Sequence, residues 1–204
     1  MFKTISKCRI CGSEHLASVM ALGEQALTGV FPHSRSEKIT NGPVEMVKCS
    51  GVGGCGLAQL KQSFDLSEMY GMNYGYRSGL NASMVRHLHS KVAKILTLDV
   101  LEPGDLVIDI GSNDATTLRA YPENKFQLVG IDPTGIKFSS YYPSEIGLIS
   151  EFFSADVVAK TLSGKKAKVI TSFSMFYDLE DPISFAREIE ASLSDDGIWI
   201  FEQS

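Results

Sequence analysis

The chain has 204 residues, of which 44% are hydrophobic and 21% are charged, so its composition is that of a folded globular protein with room for one domain and a small module. The formal net charge of −5 argues against nucleic acid or an anionic membrane as a partner. No apolar run approaches the roughly 20 residues of a membrane span, and the N-terminus lacks an apolar signal core, so we expect a cytoplasmic protein.

The amino-terminal part of the chain contains all four cysteines. Cys8 and Cys11 are separated by two residues, and Cys49 and Cys55 enclose a glycine-rich stretch of five. Disulfides are disfavoured in the cytoplasm, whereas zinc binds four thiolates supplied by two short turns. We therefore predict a structural zinc ion on these four cysteines, with His15 as an alternative ligand. The other readings are four free buried thiols or, less favoured, a redox C-x-x-C pair.

We predict that residues 1–62 form this zinc module and that metal stabilises it, because so short a segment cannot build a core of its own. Short strands are expected at 44–48 and 57–60, with an irregular segment over 23–43. Residues 63–82 are rich in Tyr, Gly, Asn and Ser and are predicted to form a linker. Its tyrosines suit either stacking on a flat ligand or anchoring a solvated linker to the core.

Residues 83–204 alternate between helical and strand patterns. A helix is predicted over 83–98, where apolar residues recur at helical spacing. Strands then follow near 106–110, 129–131, 168–173 and 198–202, with helices over 155–162 and 182–193. This order predicts an α/β fold with an open, mostly parallel sheet. The final apolar strand favours an N-terminal fragment of a longer protein over a minimal domain whose sheet edge a partner covers.

The first two of these strands end in groups suited to an adenosine ligand. Leu106–Ile110 runs into Gly111, and the second strand ends at Asp132, 21 positions after that glycine. Parallel neighbours require a crossover, for which we predict a helix, and ligands bind at the carboxyl ends of such strands. Gly111 permits a tight turn beside the ligand, and Asp132 can accept hydrogen bonds from both ribose hydroxyls.

The motif favours S-adenosylmethionine over a dinucleotide. The dinucleotide fingerprint G-x-G-x-x-G keeps only its first glycine here, because Asn113 and Thr116 occupy the other two positions. A phosphate-binding P-loop sequence is also absent. Asp109 and Asp114 are candidates for positioning the charged methionine end of the cofactor. The alternative is an ordinary doubly wound domain whose strand ends happen to be acidic.

Together these motifs resemble the S-adenosylmethionine-dependent C-methyltransferases that act on nucleotide-activated deoxysugars. The resemblance spans nearly the whole chain and is carried, in order, by the segments 8–12, 55–60, 74–78, 109–114, 130–133, 151–153, 172–178 and 201–204. It implies a zinc-binding module, a class I methyltransferase (Rossmann-like) core and a further C-terminal domain.

The resemblance also implies roles for individual residues. Structural zinc is expected on Cys8, Cys11, Cys49 and Cys55. Cofactor-binding residues are expected to be Asp109, Gly111 and Asn113 at the methionine end, Asp132 at the ribose, Phe152 or Phe153 near the adenine, Ser174 and Met175 at the pocket border, and Tyr76 and Ser78 over the pocket.

The chain departs from the family in two places: the second cysteine pair is C-x5-C rather than C-x2-C, and Ala115 replaces a common glycine. The family's catalytic His-Glu-His-type motif is expected beyond Ser204, so no general base is assigned and the chain alone is expected to be inactive. The expected substrate is a small nucleotide-sugar. Alternatives are a methyltransferase acting on oxygen or nitrogen of another metabolite, a non-catalytic zinc-module binding protein, and an NAD-dependent enzyme.

Overall fold

The computed structural model describes residues 2–27, 29–70 and 74–203, and the chain divides into two compact units. The first unit is Met1–Tyr76 with Glu180–Ile183, and the second is Arg77–Leu179 with Ser184–Ser204. The described residues include no helix with both the length and the apolar character that a membrane span needs.

The first unit is built from small antiparallel sheets. Its elements are β1 (Phe2–Thr4), β2 (Leu16–Ala26), β3 (Asn41–Cys49), β4 (Ala58–Leu60), β5 (Gln62–Phe64) and α1 (Leu66–Met69). Strands β2, β3 and β4 form one sheet in that order, and β1 pairs with β5. The predicted strands at 44–48 and 57–60 are confirmed by β3 and β4.

The predicted irregular segment over 23–43 is wrong at both ends. Strand β2 extends to Ala26, and β3 already begins at Asn41. Gly23 has a φ of +69° and lies where the register between the two strands shifts, so it forms part of an irregularity within the strand. A residue that is typical of turns therefore interrupts the pattern of β2 without ending the strand.

The second unit has a parallel sheet with helices along the chain between its strands. Its elements are α2 (Ala82–Thr97), β6 (Leu106–Ile110), β7 (Gln127–Ile131), α3 (Gly135–Phe138), β8 (Ile146–Ile149), α4 (Ala155–Thr161), β9 (Ala167–Phe173), α5 (Pro182–Ser192) and β10 (Leu193–Glu202). The strand order is β10-β9-β6-β7-β8, and every pairing is parallel. This confirms the predicted open α/β sheet, and it places a topological switch point between β6 and β9.

Alternating side chains on the central strands create two apolar layers, one on each face of the sheet. On one face, Leu106, Ile108 and Ile110 pack with residues of α4 and α5. On the other face, Val107 and Val169 pack with Val92 and Ile95 of α2. Because β6 is buried along its whole length, its carboxyl end is held rigidly from both sides.

The predicted helix before the sheet is confirmed by α2, which begins after Asn81. The Asn81 Oδ1 atom accepts a hydrogen bond from the Ser83 backbone N–H at 2.9 Å and so caps the helix. Leu88, Val92 and Ile95 form its buried face. The helices predicted over 155–162 and 182–193 are likewise confirmed by α4 and α5.

The predicted crossover helix between β6 and β7 is wrong, because this connection contains only a 3₁₀ turn at Leu118–Ala120. Asn113 and Ala115 have φ values of +51° and +61°, which an α-helix does not accept. The Asp114 carboxylate also accepts hydrogen bonds from the backbone N–H and the hydroxyl of Thr116, which closes a local turn instead.

Candidate cofactor site and metal centre

The structure brings the four predicted cysteines together in the first unit. Their Sγ atoms all lie within 4.8 Å of one another, with 3.6 Å between Cys8 and Cys55 and 3.5 Å between Cys11 and Cys49. Four sulfurs at about 2.3 Å from a tetrahedral zinc ion are about 3.8 Å apart, so the cluster has the dimensions of a zinc site. Cys8 and Cys49 are buried, whereas Cys11 and Cys55 are exposed.

The long C-x5-C spacing is accommodated by glycines. Gly51 and Gly53 have φ values of +80° and +82°, which let the loop curl back towards the cluster. A Cβ atom on Gly54 would lie 2.6 Å from the Ser50 carbonyl oxygen and 3.3 Å from the Cys49 Sγ atom. Gly54 therefore lies close to the Cys49 sulfur, and the departure from C-x2-C does not prevent a four-sulfur cluster.

Hydrogen bonds favour the thiolate form that metals bind at Cys8 and Cys11, whereas at Cys55 a backbone hydrogen bond is outweighed by burial and by contacts with the other sulfurs, which raise the pKa to about 11. Burial raises the pKa of the Cys8 thiol, but backbone hydrogen bonds from Cys11 and Ile10 outweigh it and lower the pKa to about 6. A further hydrogen bond reaches Cys8 Sγ from Gln59 Nε2 at 3.3 Å. A backbone hydrogen bond from Ser13 likewise lowers the pKa of Cys11. The alternative ligand His15 lies outside the four-group cluster and packs against Gly51.

The carboxyl end of β6 forms the centre of the second candidate site. Gly111 has a φ of +71° and donates its N–H to the Ile131 carbonyl oxygen at 2.9 Å, so the chain turns sharply across the end of β7. A Cβ atom on Gly111 would lie 3.5 Å from Met175 Cγ, which places Met175 next to this turn. Met175 follows β9, so the predicted residues Gly111 and Met175 meet at the switch point.

Asn113 links three parts of this site. Its N–H donates to Asp132 Oδ2 at 2.8 Å, and its Oδ1 accepts a hydrogen bond from the Ser78 N–H at 2.9 Å. Asp132 follows β7 and Ser78 precedes α2, so the structure gathers these three predicted residues around the end of the sheet.

The Asp132 carboxylate is already partly engaged. Its Oδ1 accepts hydrogen bonds from the N–H and the hydroxyl of Thr134, at 2.7 and 2.6 Å. A carboxylate offers about four acceptor positions, two on each oxygen. With Asn113 on Oδ2, the bonds above occupy three, and the remaining position on Oδ2 fits one hydroxyl donor.

Asp109 lies beneath the turn on the same face of the sheet as Val107. It is buried, and Thr171 Oγ1 donates a 2.6 Å hydrogen bond to its Oδ1. Burial raises the pKa of the Asp109 carboxyl to about 7, although hydrogen bonds from Thr171 and Thr117 oppose the shift. This carboxyl is therefore packed within the structure that supports the turn.

Asp114 is fully buried and holds the segment that precedes α2. Its Oδ2 accepts a hydrogen bond from the Gly79 N–H at 3.0 Å, and Arg77 Nε lies 3.9 Å from the same oxygen. The Arg77 guanidinium also stacks 4.1 Å from the centre of the Tyr141 ring. Asp114 thus binds its own chain at the positions next to Ser78.

The remaining residues predicted to bind the cofactor lie in different surroundings from one another. Phe153 packs against Phe185 with ring centroids 5.3 Å apart, so it contributes to the core, whereas Phe152 is 46% exposed. Ser174 directly follows β9 and has a φ of +53°. Tyr76 belongs to the first unit and is exposed, so its position over the cofactor stays a prediction.

Sequence reasoning missed several residues that shape the site, among them Ser112, Thr134, Tyr142 and Thr171. The spacing of Asp132 and Thr134 is a signal for a side-chain-capped turn that could have been read. Tyr142 lies between β7 and β8 and contacts the turn after β6, and no local pattern in the sequence predicts that contact.

Comparison with known families matches both parts of the chain. The profile of a family described as "Methyltransferase domain" matches residues 80–204, and that of a family described as "Putative zinc binding domain" matches residues 8–70. The C-methyltransferase NovU of Streptomyces niveus is 23% identical over 203 residues. That alignment covers 98% of this chain but 47% of the relative, so the chain spans about half the relative's length.

Solved structures give weaker similarities. The plantazolicin methyltransferase BpumL, in complex with a triazolic desmethylPZN analogue and SAH, is 18% identical, with 61% of this chain and 48% of that chain covered and a TM-score of 0.47. A SAM-dependent methyltransferase from Geobacter sulfurreducens in complex with S-adenosyl-L-homocysteine is 18% identical, with 56% and 47% covered and a TM-score of 0.40. Neither similarity is strong enough to support an assignment.

The assignment comes instead from the family match and from the topology of the second unit. The methyltransferase profile covers more than half of the chain and includes every strand of the five-stranded parallel sheet. The four-sulfur cluster in the first unit falls within the zinc-binding match. The chain therefore belongs to the methyltransferase-domain family, with a class I, Rossmann-like core preceded by a zinc-binding module.

Proposed function

We propose that the chain is the zinc module and donor-binding part of an S-adenosylmethionine-dependent methyltransferase that methylates a carbon atom of a nucleotide-activated keto-deoxysugar. The observation that carries this proposal is the alignment with a C-methyltransferase over 98% of the chain, through the cysteine module and the sheet alike. The motifs that resemble deoxysugar C-methyltransferases narrow the acceptor to a carbon beside a ketone.

The residues at the end of the sheet suit this donor. The turn at Gly111 brings backbone close to the ligand, and Met175 supplies an apolar border beside it. The free acceptor position on Asp132 Oδ2 would bind one ribose hydroxyl, rather than the two expected from the sequence. The dinucleotide alternative is less suitable, because Asn113 replaces the second glycine that a pyrophosphate requires.

S-adenosylmethionine would supply an electrophilic methyl group at a sulfonium centre. A base would remove the proton from the sugar carbon beside the ketone, and the resulting enolate carbon would attack that methyl group. A carbon–carbon bond forms, the bond between methyl and sulfur breaks, and S-adenosylhomocysteine leaves. We assign no base among the described residues. His87, for example, is paired with Glu202, with 2.7 Å between its Nε2 atom and the Glu202 Oε1 atom.

Zinc would be structural in this protein. Four thiolates fill the tetrahedral coordination shell of zinc, which leaves no open position for a substrate or an activated water. The metal would instead join the turn that contains Cys8 and Cys11 to the end of β3 at Cys49.

Calorimetry with S-adenosylhomocysteine and with NAD tests the donor. We expect saturable binding of S-adenosylhomocysteine and no binding of NAD under the same conditions. Binding of NAD alone would replace the proposed donor with a dinucleotide. If neither ligand binds, the proposed donor site is contradicted.

Because this chain alone is expected to be inactive, the acceptor atom is tested separately with the full-length protein. It is incubated with S-adenosylmethionine carrying a ¹³C-labelled methyl group and a nucleoside-diphosphate keto-deoxysugar. For carbon methylation, NMR would show the labelled methyl group coupled to a ring carbon. A labelled methoxy or N-methyl signal would instead favour an oxygen or nitrogen acceptor and overturn the finer proposal. Retention of the label in the donor, in a preparation that binds S-adenosylhomocysteine, would count against this sugar as the substrate.

A further inference from the structure

The hydroxyl of Tyr142 contacts the turn at the end of β6 in two places. Its oxygen lies 2.7 Å from Ser112 Oγ, and it donates to the Asn113 carbonyl oxygen at 3.2 Å. Tyr142 follows the 3₁₀ turn Ser139–Tyr141, in the segment between β7 and β8. The same hydroxyl therefore holds two consecutive residues of the proposed donor-binding turn.

The turn needs such support because Asn113 has a left-handed backbone conformation, with a φ of +51°. Hydrogen bonds fix this residue from three directions: its N–H donates to Asp132, its Oδ1 accepts from Ser78, and its carbonyl oxygen accepts from Tyr142. The bond from Tyr142 holds the carbonyl side of the residue, while the other two hold its amide and its side chain. Loss of the tyrosine bond would free the peptide that follows Asn113 to rotate.

The space for this contact is provided by Gly130 in β7. A Cβ atom there would lie 2.4 Å from Ser112 Oγ and 2.8 Å from the Tyr142 hydroxyl oxygen. Burial also raises the pKa of Tyr142 above its usual range, so the hydroxyl keeps its proton and remains a donor. The arrangement is a close-fitting polar contact on the strand that carries Asp132 at its end.

We propose that Tyr142 is a positioning residue for the methyl donor: its hydroxyl holds the Ser112–Asn113 turn, and thereby the Asn113–Asp132 contact, in the conformation that binds S-adenosylmethionine. Tyr142 acts through the turn rather than by touching the donor. The inference rests on the proposed function, because it concerns the same donor site.

The test compares two variants that each lose one tyrosine hydroxyl. Tyr142→Phe removes both contacts with the turn and keeps the ring. Tyr121→Phe is a matched control, because the Tyr121 hydroxyl is buried without a hydrogen-bond partner among the described residues. Calorimetry should show that Tyr142→Phe binds S-adenosylhomocysteine about five- to tenfold more weakly than the parent, equivalent to about 1–1.4 kcal/mol. Tyr121→Phe should stay within about twofold of the parent, because its hydroxyl has no bond to lose.

A second route covers the case in which Tyr142→Phe is poorly folded. Ser112→Ala removes one partner of the same hydroxyl and leaves the tyrosine ring packed, and it should weaken binding about two- to fivefold. The double variant Ser112→Ala/Tyr142→Phe should lose less affinity than the two single effects multiplied together, because both substitutions break one shared contact.

The outcomes separate this inference from the function on which it rests. If the parent protein fails to bind S-adenosylhomocysteine, the proposed function is contradicted. If the parent binds but Tyr142→Phe and Ser112→Ala bind equally tightly, the positioning role is overturned. Equal weakening by Tyr142→Phe and Tyr121→Phe would also overturn it, because that result would indicate a general loosening of the core.

Discussion

Ala115, in the turn after β6, shows how backbone conformation and residue type are related. Ala115 is buried and has a φ of +61°, at the position where the resembling family commonly has glycine. Glycine adopts this conformation without a steric penalty, whereas alanine is strained by about 1–2 kcal/mol. The buried methyl group packs with Leu118 and Val92, and this contact offsets part of the strain. The substitution is therefore compatible with the fold.

Asp109 leads to a prediction about the pH dependence of stability. Its folded pKa is about 7, and an aspartate in an unfolded chain has a pKa of about 3.9. Between these values the folded state binds more protons than the unfolded state, so the free energy of unfolding falls as pH rises. Asp109→Asn keeps an acceptor for Thr171 and cannot ionise. From about pH 4 to pH 7 the variant should gain stability relative to the parent, by at most about 1.4 kcal/mol per pH unit.

Urea unfolding at a series of pH values measures this difference. Asp156→Asn, which alters a carboxylate exposed on α4, serves as the control and should give a nearly constant offset from the parent. If Asp109→Asn also gives a constant offset across this range, the buried carboxyl does not titrate as its surroundings indicate. The charge of the nearby Asp132 also raises the pKa of Asp109.

At the scale of elements, the zinc centre fixes the end of a strand. Cys49 is the last residue of β3, which is the middle strand of its sheet, and Cys55 lies shortly before β4. The metal would therefore hold the connection between these two strands closed. Without metal, the loop from 50 to 57 would be joined to the sheet by hydrogen bonds alone, such as that from the Cys49 N–H to the Leu57 carbonyl oxygen.

We predict about one zinc ion per chain in the purified protein and loss of most of it in Cys49→Ser, because a tetrahedral site with three thiolates binds zinc more weakly. Elemental analysis measures the metal, and amide hydrogen exchange in β3 and β4 should become faster in the variant. His15→Ala should retain zinc, since the imidazole lies outside the cluster. If His15→Ala lost zinc and Cys49→Ser retained it, the zinc ligand would be His15 rather than Cys49.

Elements with a regular apolar pattern were predictable, and those without one were not. The predicted helix over 83–98 differs from α2 by one residue at each end, because its apolar positions and its Asn81 cap are both local. Strand β2 lacks such a signal, since nearly all its residues are exposed at the edge of a sheet. The prediction of a helix between β6 and β7 failed although the spacing of the two strands suited a helix. Residues in the left-handed conformation prevent a helix from forming in this segment.

At the scale of the whole molecule, we expect the buried centre of the parallel sheet to contribute most to the free energy of unfolding of the second unit. Ile170 lies in β9 with 0% exposure, between Ile108 of β6 and Trp199 of β10. Ile170→Ala should lower the free energy of unfolding by about 2–5 kcal/mol, because it removes buried apolar atoms and leaves a cavity. Denaturant unfolding followed by circular dichroism measures this loss.

The same substitution at an exposed site provides the control. Ile136 in α3 is 65% exposed, so Ile136→Ala should change the unfolding free energy by no more than about 0.5 kcal/mol. Similar losses for the two variants would mean that the sheet centre is not the dominant part of the core.

The sequence by itself determined the residues that carry chemistry and the kind of fold that presents them. Cysteine spacing, the glycine after an apolar strand and the acidic residue 21 positions later are local features, and each reflects a local need for ligand type or backbone freedom. The tertiary structure decided which partners those residues have. Asp109 accepts a hydrogen bond from Thr171, and Asp132 already accepts three hydrogen bonds from its own chain. Phe153 packs against Phe185, and the Tyr142 hydroxyl contacts the turn after β6. Such contacts join segments distant in the chain, and they depend on strand register and on packing that local patterns do not encode.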